Sequence, residues 1–155
     1  MDRERLINTI KLTKLFFDKS TSKLEEADSG FAPKPGMYTV AHQVAHVAQT
    51  IDWFLQGAFS ASGMDMDFAK HHQHITACNS LTQARAWHEK ASNELLHQLA
   101  ELPAEEWSKP IAGPIMGGFP RTSIVGGIEE HTSHHRGALA VYQRLLDKVP
   151  EMPYA

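Results

Sequence analysis

Two histidines, His131 and His135, stand four residues apart in a stretch of helical periodicity. That spacing sets two imidazoles side by side on one helix face, the way a helix offers two nitrogen ligands to a single ion. Each helical residue turns by about 100°, so Ile124, Ile128, Ala138, Leu139, Tyr142, Leu145 and Leu146 define one apolar face with both histidines in its middle. A core histidine satisfied by a hydrogen bond is the plainer reading of either residue alone. Two stacked in the centre of a stripe must both be desolvated and both be satisfied, which favours metal ligation. His134 lies on the edge of the stripe and reads as a neighbouring or surface residue.

One helix face cannot surround an ion, so a third ligand is expected from a facing helix. The candidates are His42, His46 and His88. His42 points nearly opposite the stripe of Val40, Val44 and Ile51, whereas His46 lies nearer its border and is the better of the two. His88 falls within the inward face of the third helix, and periodicity leaves it a rival. His71, His72 and His74 lie in a crossover segment and read as solvated, mobile residues able to bind metal adventitiously. His97 reads as a surface position.

These residues need elements to hold them, and four segments carry helical periodicity, separated by Gly, Pro and Ser. The first runs from about Arg3 to Glu26, with Leu6, Ile7, Ile10, Leu15, Phe16 and Leu24 as its apolar contributors in an amphipathic but uneven pattern, and ends in a breaker run through Gly36. The second begins near Thr39, a possible cap, and places Val40, Val44, Val47, Ile51, Phe54 and Ala58 at steps of four and three. Residues 61–79 are long enough to cross a bundle. A third helix is expected from Leu81 to Leu102, with Ser80 as a possible cap, and Pro103 closes it. A long irregular connection from Leu102 to Arg121 follows, of a kind that often lines a functional mouth, and Gly117-Gly118 within it reads as flexible coil. The fourth helix runs from Thr122 or Ser123 to about Asp147. The fold class is therefore all-α, a four-helix bundle with a long crossover between helices two and three, in one domain over residues 1–155.

The chain has 155 residues, 42% of them apolar, which suffices for one core without staples. Its net charge of −3, with no basic stripe, argues against nucleic acid as a partner. Cys78 is the single cysteine, which excludes an internal disulfide and a Cys-rich zinc site and points to a reducing compartment. Charged residues throughout positions 1–20 interrupt any signal-peptide core or membrane span, so a cytoplasmic protein with no membrane partner is expected.

The stretch His131-Thr132-Ser133-His134-His135-Arg136-Gly137, then Val141-Tyr142-Gln143-Arg144-Leu145-Leu146 and Val149-Pro150, resembles the C-terminal signature of the DinB-like metalloprotein superfamily. Val44-Ala45-His46-Val47-Ala48, with Trp53 seven residues beyond His46, is similar to that family's histidine-bearing second helix. The resemblance implies an up-down-down-up four-helix bundle, often a homodimer, with one divalent ion held by His46, His131 and His135. Ala138 departs from the pattern, since many members carry Gln after the His-Arg-Gly run. The missing amide could alter hydrogen bonding around the site or at an interface, so no relative's substrate carries over.

Three neutral imidazoles leave positions open for water or substrate, the layout of a catalytic site, and suit zinc, nickel or iron. Enzymes of the family include thiol-dependent S-transferases and an isomerase. The resemblance therefore implies a metal-dependent transferase acting with a low-molecular-weight thiol on a small-molecule substrate. Hydrolysis by an activated water comes second, and a non-catalytic metal-binding stress or interaction module is the alternative. Glu129 and Glu130 read as a solvated face, and Arg136 and Arg144 as contacts to a partner subunit or a charged substrate. Trp53 reads first as a packing or interface residue, on the same side as His46 from which it could wall the site; Tyr142 reads as core filling, and Cys78 is not read as a nucleophile.

Overall fold

The computed structural model describes residues 2–154. Six α-helices follow one another: α1 (Arg3–Ser20), α2 (Val40–Phe59), α3 (Phe68–Ala77), α4 (Leu81–Glu101), α5 (Ala104–Ser108) and α6 (Ser123–Leu145). Among the described residues the sole β-type pairing is an isolated bridge between Pro110 and Pro120. The four long helices pack pairwise, α1 against α4 and α6, and α2 against the same two. No helix of the described residues is long and apolar enough to cross a membrane.

The helices start where side chains can replace missing backbone partners. Thr39 accepts from the His42 amide, Asp67 from Lys70 and Ser80 from Gln83, capping α2, α3 and α4. α2 is the central element: Val40, Ala41, Val44, Ala45, Val47, Ala48, Ile51, Leu55 and Ala58 are all buried, a wider band than the stripe of fours and threes. Its apolar residues divide between two clusters. Ile51 and Leu55 join Leu95, Leu99, Trp107, Ile124 and Ile128, while Val40 and Val44 join Phe17, Ile75, Leu81, Leu139 and Tyr142. Each fully buried Leu, Ile or Phe contributes about 1.5–3 kcal/mol. His46 on α2 and His131 and His135 on α6 fall at the seam between the clusters.

The chain departs from its sequence reading in four places. α1 ends at Ser20, not near Glu26. Thr21 turns its hydroxyl back to the Phe17 carbonyl, and the Asp28 carboxylate accepts from the Glu25 amide in a short 3-10 turn. Such short polar side chains offer the backbone an alternative to helix. Leu145, assigned to the apolar face of the last helix, is exposed and does not face the core. The crossover carries a ten-residue helix, α3, anchored by buried Ile75, so His71, His72 and His74 sit on a helix and not in a loop.

The fourth departure is the connection before α6, which is ordered by its own hydrogen bonds. α5 sinks Trp107 completely, its ring edge-on to Phe59 at 5.1 Å and its Nε1 donating to the Gln98 carbonyl. The Ile111 amide donates to Phe119, that of Gly118 to Ile111 and that of Arg121 to Lys109, so Gly117-Gly118 closes a turn. Arg121 lies over the Phe59 ring, 4.4 Å from its centroid, and pairs with Glu106. Gly63 has φ +80°, and a Cβ there would come within 2.2 Å of the Ala112 carbonyl oxygen, so glycine lets the two loops meet. All of this docks on the C-terminal end of α2. It does not line the cavity beside the histidines.

Candidate metal centre

His46, His131 and His135 converge. The Nε2 of His131 lies 3.2 Å from that of His46 and 3.1 Å from that of His135. The ring centroids of His46 and His135 are 4.7 Å apart. Nitrogen ligands about 2.0–2.1 Å from a shared ion stand roughly 2.8–3.4 Å from each other for angles between square and tetrahedral, so the triad has the right span. These residues form a group that could hold a metal ion.

Protonation favours the same use. Burial, then the neighbouring imidazoles of His131, His46 and His134, lowers His135 to about 3. Burial, followed by His46 and His134, lowers His131 to about 4. His46 is lowered by burial and then by His134. All three are neutral near pH 7, with ring nitrogens free to donate lone pairs.

Gln43, one turn before His46 on α2, sets the orientation of His135. Its Nε2 donates to the Tyr142 hydroxyl, which donates in turn to the Tyr38 carbonyl. That leaves its Oε1 to accept from His135 Nδ1 at 2.6 Å. The hydrogen-bond network thus assigns the proton of His135 to Nδ1 and leaves Nε2 bare toward the other two rings. Gln43 was missed in the sequence: the buried band of α2 also holds Gln49 and Thr50, so its amide gave no distinct signal. Tyr142 is buried as expected, but its hydroxyl also serves this chain. His46 Nδ1 is buried and finds no partner among the described residues. Replacing Gln43 with Leu is expected to weaken zinc binding about 10- to 100-fold with the helical circular dichroism unchanged, as competition with a chromophoric chelator would measure.

The rival histidines lie elsewhere. His88 is buried against Phe17, with Nδ1 3.7 Å from Asp18, on the α1 side of α4. His42 pairs with Asn79, and His134 is exposed, its ring touching the outer face of His135. Glu129, Glu130 and His97 are exposed, as read. Arg136 lies near Phe16 and Tyr154, and Arg144 returns to the Ala140 carbonyl. Cys78 is a half-buried free thiol that caps α3, and burial pushes it up, which disfavours a nucleophile.

A cavity of about 490 Å³ opens onto the triad, with His46 and His131 in its wall. Trp53 and Phe54 of α2 and Phe68 of α3 make it largely aromatic. Tyr38 stacks on His72, their rings 5.6 Å apart, and its hydroxyl lies 3.0 Å from His72 Nδ1. α3 and Tyr38 therefore cover the side of the site, and residues 102–121 contribute nothing to the cavity wall. Glu130 stands at the rim.

Fold and site together define a helical-bundle protein with a candidate three-histidine metal centre beside an aromatic cavity. The chain belongs to the DinB superfamily, whose sequence profile matches residues 17–139. In structure it is similar to a mycothiol-dependent maleylpyruvate isomerase, with a TM-score of 0.73 at 16% identity over 90% of this chain. A mutant of that enzyme with one histidine replaced by alanine gives a TM-score of 0.74 at 15% identity. The chain spans 61% of the length of these neighbours. No curated protein matches it in sequence.

Proposed function

We propose that the protein is a divalent-metal enzyme in which His46, His131 and His135 hold the ion and the aromatic cavity admits a thiol cosubstrate for S-transfer to a small electrophile. The observation that carries this reading is the convergence of three Nε2 atoms, with the His46 and His131 rings in the wall of an open cavity. A closed cage would favour a structural ion, whereas a three-nitrogen set beside open space leaves room for an exogenous ligand. The structural neighbour's dependence on a thiol, stated in its own description, adds support. Zinc, nickel and iron all suit the donor set.

When bound, such an ion lowers the pKa of a coordinated thiol or water. The chain's own residues do the rest. Gln43 holds His135 in one tautomer, burial keeps the three imidazoles neutral, and Trp53, Phe54 and Phe68 exclude water from the approach. The reading includes a homodimer and an up-down-down-up order of helices. The first is carried over from the family resemblance, and the second is supported by the pairing of α1 and α2 with α4 and α6.

Cobalt-loaded protein titrated with cysteine, cysteamine and glutathione tests it. A new near-ultraviolet thiolate-to-cobalt band that saturates with one of these thiols is the expected result. A spectrum unmoved by all three overturns the thiol reading and leaves hydrolysis by an activated water.

A further inference from the structure

On the far side of Trp53 lies a second cavity, of about 450 Å³, which shares Gln49, Trp53 and His71 with the first. Its chemistry differs. Two indoles, Trp53 and Trp87, stand in its wall together with the carboxylates of Asp52 and Asp65. Asp65 is already paired, 3.1 Å from Lys70, in a bridge where both side chains are about half exposed.

Asp52 is not compensated in this way. It is half-buried and accepts one hydrogen bond, from Trp87 Nε1 at 2.7 Å. An ionised carboxylate has capacity for about four acceptor contacts, and a single neutral indole N–H offsets little of the cost of removing its charge from water. Burial is the largest influence on it and raises its carboxyl, against the Trp87 bond and Lys90, with Glu94 adding to the rise. Lys70, the one lysine in the cavity wall, is engaged by Asp65. A partly desolvated carboxylate that shares a cavity wall with two indoles offers an organic cation both a counter-charge and aromatic surface.

We propose that this cavity binds the ammonium group of an organic amine, with Asp52 as its counter-ion and Trp53 and Trp87 as its walls. Because the two cavities meet at Gln49, Trp53 and His71, the amine would be the distal end of a molecule whose other end reaches the histidines. That last step rests on the function proposed above; the amine site itself does not.

The test uses three probes of similar size and different charge: 2-phenylethylamine, 2-phenylethanol and 3-phenylpropanoate, followed by tryptophan fluorescence and calorimetry. The amine is expected to bind at least about tenfold more tightly than the alcohol, and the acid more weakly still. Asp52→Asn keeps an oxygen for Trp87 and is expected to bring the amine down to the alcohol's affinity while leaving the alcohol unchanged. Equal binding of all three probes by the wild-type protein, or an amine affinity unmoved by Asp52→Asn, overturns the proposal. Repeating the series in His131→Ala separates it from the metal reading. Amine binding retained there supports a site behind Trp53 whatever the metal result, and amine binding lost there overturns that placement.

Discussion

His131→Ala and His135→Ala are each expected to abolish stoichiometric binding of one divalent ion per chain, measured by metal analysis of untagged protein, while the helical circular dichroism persists. Both imidazoles reach the centre of the triad through Nε2, so either truncation removes a donor and leaves two nitrogens that cannot define the site. Affinity should fall by more than about 100-fold, beyond what loss of a supporting hydrogen bond costs. His46→Ala is expected to behave alike, whereas His88→Gln and His42→Ala should retain the ion, since neither residue lies at the triad. Full metal content in the His131 and His135 variants would overturn the ligand assignment.

Trp107→Ala is expected to be the most destabilising single truncation, by about 3–5 kcal/mol, because the indole is wholly buried and its removal leaves a cavity under α5. For a chain of this size that corresponds to a fall in melting temperature of roughly 10 °C. The ring holds α5 to Phe59 and to the Gln98 carbonyl, so the ordered connection before α6 should loosen with it. Metal affinity should change little at temperatures where the variant is folded, because Trp107 takes no part in the cavity at the histidines. Thermal melts and chelator competition on one preparation check both halves. A stable variant would mean that the site collapses around the missing ring.

The long helices were legible because each joins a cap to a sustained apolar period: Thr39 before Val40, Ser80 before Leu81. α3 and α5 were not, because ten and five residues carry too few repeats to stand above composition, and three histidines hide the link from Asp67 to Ile75. The connection through Pro110 and Gly118 reads as coil because its order comes from irregular pairing across the loop, such as Arg121 to Lys109, that leaves no periodic pattern. At the site, His131 and His135 announce themselves by spacing alone. The third member could not be chosen from periodicity, since His46 and His88 both face inward and only the packing of α4 on α1 takes His88 away. Family resemblance made that choice, and in the structure His46 lies beside His131, Nε2 to Nε2 3.2 Å. Gln43 escaped notice because a single buried amide makes no pattern until its partner, 92 residues further on, is in place.

The triad also bears on how the chain holds together. His46 and His131 are 85 residues apart and sit on different helices, so an ion shared between them would act as a cross-link closing more than half the polypeptide into a loop. Such a clasp restricts the unfolded chain as well as steadying the folded one. At a free-ion concentration 1,000 times the dissociation constant it would add about 4 kcal/mol to folding stability. Stripping the ion would then loosen the joint between α2 and α6 that Gln43 and His135 span, coupling the supply of metal to the lifetime of the fold.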